Sequence, residues 1–472
     1  MATNEQGPDQ QTNKGYHIMY SAAQAIKGHA SGGNLLILAT VLALIIANIP
    51  GINQYYIDFW NQEVRLQVGD FNVFSHGGEP MSVLDFINDA LMAIFFFSVG
   101  LEIKREMLVG ELSSIKQALL PIMGACGGML FPVLIFFALA AGTDYVGGAA
   151  IPMATDIAFS IGVLAMLGSR CPVSLKVFLT TLAVADDIGG IIVIATCYST
   201  HLELMFLVYA AILLGVLLLG SAIKIKSKMF YILVGMVVWF LFLNSGIHPT
   251  IAGVLVAFCV PATPLYPPKK YVQVIRKVVG QFDEKDDDQL ADRCTILDKE
   301  RMNRLKEIES ASDKVISPLQ DLEDTLHPLV NYIIIPLFAF ANAGIFLLGL
   351  DPATIIEGVS LAIILGLVVG KFAGIFAFTW LTVKLGWAPM PSESNWKMVA
   401  SVSMLGGIGF TVSLFIANLS FGAMGAHGMD LLNHAKLGIV IGSLLSGVLG
   451  YIMLSRTLPH TTVPDEYEEA GV

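Results

Sequence analysis

Asp186 and Asp187 lie side by side in LKVFLTTLAVADDIGGIIVIATCY, residues 175–198, a stretch otherwise apolar enough to be buried in a membrane. A carboxylate held at the centre of a bilayer costs about 2.5–3.5 kcal/mol on insertion scales, and an adjacent pair adds mutual repulsion at low dielectric. Acids kept there are functional by default, and the chemistry open to them is binding a cation, a proton, or both in turn. On a helix, neighbours point about 100° apart, so the two carboxylates cannot share one ligand equally. One can face a cavity while the other faces a neighbouring helix.

A second acid follows a backbone break. In GGAAIPMATDIAFSIG, Gly147, Gly148 and Pro152 precede Thr155 and Asp156. A break there frees carbonyl oxygens, which with the Thr155 hydroxyl and the Asp156 carboxylate make the oxygen shell that a small, hard cation takes. A helix cap is the alternative role for Asp156. Lys371, in GLVVGKFAGIF, reads as the only cation deep in an apolar span and needs an anionic partner. Asp186 or Asp156 supplies one; otherwise the lysine neutralises carbonyl ends of broken helices or snorkels to an interface.

The elements that must position these groups are membrane helices. Only 14% of the 472 residues are charged, 55% are hydrophobic, and the mean hydropathy is +0.70. That composition belongs to a polytopic membrane protein. Runs long enough to cross about 30 Å of hydrocarbon fall near 34–50, 83–105, 117–141, 149–168, 174–199, 203–222, 229–244, 246–261, 328–349, 354–383, 398–419 and 435–455. The expected class is thus an all-α membrane protein of about 12 spans.

Lys and Arg collect in alternate connections, at Lys104, Arg105 and Lys116, at Arg170 and Lys176, at Lys224, Lys226 and Lys228, in 262–327, and at Lys384 and Lys397. Arg65 and Lys436 stand as exceptions in the intervening connections. On about twelve spans this alternation places both termini in the cytoplasm.

The fourth and eleventh spans are interrupted alike, the eleventh by Gly406, Gly407 and Gly409 ahead of Thr411. Each is the middle member of a three-span group, spans 3–5 and 10–12. Paired broken spans at matching places point to inverted repeats with a binding site at mid-membrane.

Outside the spans, residues 1–33 read as a cytoplasmic segment without a cleavable signal, and 456–472 as an acidic tail. Residues 262–327 read as a charged cytoplasmic insert, partly helical and partly disordered, serving as a spacer or a regulator. Residues 51–82 contain VRLQVGDFNVF, whose alternation suggests a small external hairpin and a homodimer contact, or an ordered loop. The five cysteines form no close pair, and no basic stripe suggests a nucleic-acid partner.

Further ionisable residues have two readings each. Asp89 lines an external mouth or caps the second span. His248 reads as structural. Glu102, Lys104, Arg105 and Glu106 end the second span, and Glu323, Asp324 and His327 begin the ninth. Such a cluster either titrates near neutral pH at a cation entrance or is an ordinary charged helix end.

INDALMAIFFFSVGLEIKRE, IPMATDIAFSIGVLAMLGSR, TTLAVADDIGGIIVIA, SGIHPTIAGV, HPLVNYIIIPLFAFANAG, GKFAGIF and GGIGFTVSLFIA, in this order over nearly all the apolar chain, closely resemble the NhaA-type bacterial sodium/proton antiporters. The resemblance implies twelve spans, inverted three-helix repeats (TM3–5 and TM10–12) and two unwound helices, TM4 and TM11, crossing at mid-membrane. It implies that Asp187 and Asp186 bind the ion and carry the proton, that Thr155 and Asp156 support them as Na⁺ ligands, and that Lys371 compensates the helix ends and pairs with Asp186. Asp89 falls at an external acid, and Glu102, Arg105, Glu106, Glu323 and His327 at a cytoplasmic pH-sensing cluster. Asp324 stands where a histidine is often found.

The implied activity is electrogenic, pH-regulated exchange of Na⁺ or Li⁺ for H⁺ by alternating access, without a cofactor and not as an enzyme; membrane lipid and these ions are the partners. A sodium-coupled solute symporter is the alternative, though the Ala, Gly and Ile residues around the aspartates give little polar surface for an organic solute. An intramembrane aspartyl protease would need facing aspartates around one water, and Asp186 and Asp187 diverge.

Overall fold

The computed structural model describes residues 32–68, 71–72, 74–76, 79–199, 202–264, 268–280, 299–347, 357–422 and 424–458. The N-terminal segment to residue 31, the middle of the insert and the tail beyond 458 lie outside these residues, and so do the expectations that fall on them.

The described residues are helical almost throughout. In order they form α1 (Gly32–Asn48), α2 (Asn53–Trp60), four two-residue strands, α3 (Val83–Leu108), α4 (Ile115–Ala140), a 3₁₀ segment Val146–Met153, α5 (Ile157–Ala165), α6 (Val173–Cys197), α7 (Leu204–Ala222), α8 (Lys228–Leu243) and α9 (Thr250–Cys259). Then come α10 (Pro268–Val279), α11 (Lys299–Val315), α12 (Pro318–Asn342), α13 (Gly358–Lys384), α14 (Trp396–Leu405), α15 (Phe410–Phe421) and α16 (Gly425–Thr457).

Among the described residues, 8 spans are long and apolar enough to cross alone, and the bent pairs α1–α2 and α14–α15 raise this to 10. The shorter apolar helices α8 and α9 occupy the two remaining expected positions.

Four details depart from the sequence expectation. The helix of the ninth span begins at Pro318, ahead of the expected 328, so Glu323 and His327 sit on it. The connection 51–82 holds α2 as well as two antiparallel hairpins, β1 (Gln67–Val68) with β2 (Phe71–Asn72) and β3 (Ser75–His76) with β4 (Glu79–Pro80). The N-terminal part of the fourth span is 3₁₀, not α, where two glycines and a proline weaken the α ladder. Finally, α16 starts at Gly425 rather than 435. Lys436 therefore lies inside the last helix, buried, and not in a connection. Lys371 is thus not the only cation deep in an apolar span.

Two compact units make up the chain, one of 1–92, 111–199 and 329–472, the other of 93–110 and 200–328. In the first, α4 and α13 touch backbone to backbone. Gly366, Gly370 and Gly374 repeat every fourth residue along one stripe of α13. A Cβ built on Gly374 would stand 2.1 Å from the Gly127 carbonyl oxygen, and one on Gly370 2.8 Å from Pro132 Cα. Small residues at that spacing let membrane helices approach closely, where van der Waals contact replaces the missing hydrophobic drive. At the end of α6, Tyr198 donates to the Gly147 carbonyl and accepts from Ser420, both at 3.0 Å, which fastens α6 to the 3₁₀ segment and to α15.

In the second unit α9 is short, and its C-terminal carbonyls need a partner. Lys104 donates to the Phe258 carbonyl at 2.7 Å and to that of Val260. A cation at a helix C-terminus is also favoured by the dipole. Gly253 lets α9 lie against the Ala93 backbone.

Candidate functional site

Two broken spans meet in the first unit, and the meeting is held by a carboxylate. Asp156 is the N-cap of α5: its Oδ1 accepts from Phe159 N–H at 3.0 Å. Its Oδ2 accepts from the N–H of Thr411 at 3.1 Å and from the Thr411 hydroxyl at 2.7 Å, in the first turn of α15. One acid therefore satisfies orphan N–H groups, and the positive dipole ends, of two half-helices. The Asp156 N–H donates back to the Ile408 carbonyl at 2.6 Å, which ties the two breaks together through the backbone as well.

The opposite, carbonyl-bearing ends face donors. Ser160 donates to the Leu405 carbonyl at 3.2 Å. The Thr155 hydroxyl lies 2.9 Å from the Gly406 carbonyl and 2.7 Å from Asp186 Oδ2, and accepts from Lys371 Nζ at 2.8 Å. Lys371 also pairs with Asp186. The lysine is wholly buried, as is Asp186 at 1% exposure, and Asp187 is more open at 7%. Asp186 Oδ1 has no hydrogen-bond partner among the described residues.

Local sequence explains how Lys371 arrives there. A π-helical turn, Gly366–Gly370, immediately precedes it and widens the helix by one residue, rotating the residues beyond it. The lysine stem then runs past Gly128 of α4, where a built Cβ would lie 3.7 Å from Lys371 Cδ. The glycine seam and the lysine are thus one device: close approach of α13 to α4 is what places the ammonium on Asp186.

Of the residues singled out by sequence, Asp186, Lys371, Thr155 and Asp156 come together around the break, with Asp187 next on α6. Asp156 uses both oxygens as a cap of two helices. Thr411, named in sequence only as a neighbour of the glycines, is a full member of the site; its hydroxyl at the start of a half-helix is the available signal. Ser160 joins the site without any signal in the sequence.

We expect Thr411→Val to lose one charge-assisted hydrogen bond, about 1.5–3 kcal/mol. Thermal unfolding in detergent should show the drop, and Thr411→Ser should restore it; equal behaviour of Val and Ser would remove the hydroxyl from the account.

The other named residues lie elsewhere. Asp89 sits in a π-helical turn, Ile87–Leu91, of α3. His248 Nδ1 is 2.8 Å from the Thr250 hydroxyl at the start of α9, a local structural bond. In the second unit Arg105 pairs with Glu323 at 3.0 Å and Glu106 at 3.1 Å. Glu102, Glu106 and Asp324 are all within electrostatic reach of Glu323, the acid that Arg105 pairs with. His327 is on the same helix as Glu323, one turn along.

The family described as Na⁺/H⁺ antiporter 1 matches residues 23–454. A Na⁺/H⁺ antiporter NhaA of Phocaeicola vulgatus is 53% identical over 94% of this chain and 97% of the relative. That of Bacteroides fragilis is 51% identical over 90% and 95%, and that of Rhodopirellula baltica 42% over 92% and 93%. With broken spans capped on a buried acid, and similarity of this depth along the whole apolar region, the chain belongs to the Na⁺/H⁺ antiporter 1 family.

Proposed function

We propose that this protein exchanges Na⁺, and Li⁺, for protons across the bacterial inner membrane, with both termini cytoplasmic. The observation that carries the reading is the buried Asp186–Lys371–Thr155 cluster beside Asp187 at the meeting of two broken spans. Asp187, the more open carboxylate, takes the cation, with Thr155 and the freed carbonyls of the break as further oxygens. Asp156 supports the site chiefly by capping; direct ligation would require it to give up part of its bonding to Thr411 or Phe159. Asp186 carries a proton in exchange with its lysine pair: when the cation occupies the site, Thr155 and Asp186 reorganise and Lys371 loses its partner.

Sodium and protons compete for the same carboxylates, so exchange is obligatory without a separate coupling device, and cation binding waits on deprotonation. Two carboxylates against one monovalent cation make the cycle move net charge. The three-span groups around the two breaks act as inverted repeats that expose the site alternately to each side. The Arg105 cluster sets the pH at which the cycle runs, Asp89 lines the outer mouth, and the hairpins of 51–82 contact a second copy.

Proteoliposomes loaded with a pH-sensitive dye test this directly. Added Na⁺ should drive proton movement that rises across the neutral-to-alkaline range and quickens when valinomycin and K⁺ remove the opposing potential. Silence on adding Na⁺ would return the symporter reading. Arg105→Gln and Glu323→Gln should each move the pH midpoint while leaving the maximal rate; an unmoved midpoint in both would make the cluster merely structural.

A further inference from the structure

The helix α10 carries cations and no acid. Its sequence PKKYVQVIRKVV holds Lys269, Lys270, Arg276 and Lys277. At 100° per residue these fall on one face with Gln273, while Tyr271, Val274, Ile275 and Val278 fall on the other. The structure uses the second face: Val278 is buried, and Tyr271, Val274 and Ile275 are partly buried, with α11 packed alongside. Lys269, Gln273, Arg276 and Lys277 are exposed, and at their margin so is Val272, at 43%.

The roots of this helical pair are fixed. The segment leading into α10 leaves the end of α9 at Val260–Pro261, and α11 runs into α12 at Ser317–Pro318. The Leu319 N–H donates to the Pro261 carbonyl at 3.2 Å, which clamps the two roots together. A basic face with an apolar margin is therefore tethered by short links to two membrane helices.

We propose that α10 is a lipid-binding helix whose basic face rests on anionic phospholipid headgroups of the leaflet from which α9 and α12 emerge. The inference rests on reading those two helices as membrane spans. Clustered cations beside a span are drawn to a negative leaflet, and an exposed valine at the margin suits the boundary between headgroup and acyl chain. The rival occupant is the acidic run Asp283, Glu284, Asp286, Asp287 and Asp288 of the same chain. It comes directly after α10, but nothing in it explains the apolar margin or the clamp at the roots.

The test uses the full chain with its five cysteines replaced by serine and an environment-sensitive dye on Gln273→Cys. In phosphatidylcholine vesicles the dye should stay open to acrylamide. With about 30% phosphatidylglycerol, quenching should fall by about threefold and the emission shift to the blue, as charge-driven seating predicts. About 0.5 M choline chloride should reverse both by screening. Replacing Lys269, Lys270, Arg276 and Lys277 by glutamine should abolish both.

Equal quenching in the two lipids overturns the proposal. Protection already present in phosphatidylcholine and lost when the acidic run is neutralised overturns it in favour of the chain's own acids. Hydrogen exchange of the 268–279 amides in the unaltered protein, in the same two lipids, separates the same outcomes without cysteine replacement. Na⁺-driven proton movement in these vesicles reports antiport separately, so failure of the helix and failure of the transport reading are told apart.

Discussion

Asp187→Asn leaves no Na⁺-driven proton movement in everted vesicles. The substitution keeps the shape of the side chain and removes its charge at 7% exposure, so the fold has little to lose. The site has much to lose. Truncating one partner of a buried charge pair costs about 2–5 kcal/mol in binding, which at about 1.4 kcal/mol per factor of ten is a fall of at least about 20-fold in cation affinity. Asp186 does not rescue the function, because its charge is compensated by Lys371, which with Thr155 holds its Oδ2. Isothermal titration with Li⁺ and a thermal unfolding curve, run beside the transport assay, separate loss of binding from loss of fold. Near-normal exchange in this variant would sink the assignment of Asp187.

Gly374→Ala unfolds or inactivates the protein although it adds a single methyl group. The new Cβ would meet the Gly127 carbonyl oxygen at 2.1 Å and its carbon at 2.6 Å, and these are backbone atoms that no rotamer change can move. Relief requires α4 and α13 to separate, and overpacking of this kind costs about 1–3 kcal/mol, occasionally more. Separation also withdraws Lys371, one turn away on α13, from Asp186, so exchange falls with stability. Gly162→Ala is the control: it is also helical, and its built Cβ meets nothing within 4 Å. It should be neutral or slightly stabilising. If both variants melt at the same temperature, the seam does not hold the site together.

Much of this architecture is legible in the chain. Apolar runs announce the spans because a bilayer accepts only segments that satisfy their own backbone. The broken fourth and eleventh spans are visible in Gly147, Gly148, Pro152, Gly406, Gly407 and Gly409, and the acids betray themselves by their cost. Less legible is the start of α16, since GAHGMDLLNHAK is too polar to read as part of a span; hence Lys436 reads as part of a connection and is in fact inside a helix. The GxxxGxxxG stripe of 366–374 is in plain sight, but membrane helices carry many glycines, and only a partner shows which stripe is a contact.

The sequence by itself determined which groups are too expensive to be idle: Asp156, Asp186, Asp187 and Lys371 in an apolar setting. Tertiary structure decided how they pair. Lys371 had two candidate partners, and the choice of Asp186 comes from the π turn before the lysine and the glycine seam that seats α13 on α4. Asp156 became a cap because Thr411, 255 residues away, comes within 2.7 Å of it. The reason is physical: desolvation cost belongs to one residue and its local environment, while a hydrogen bond of ordinary length depends on the placement of two backbones to within a few tenths of an ångström. Only packing supplies that placement.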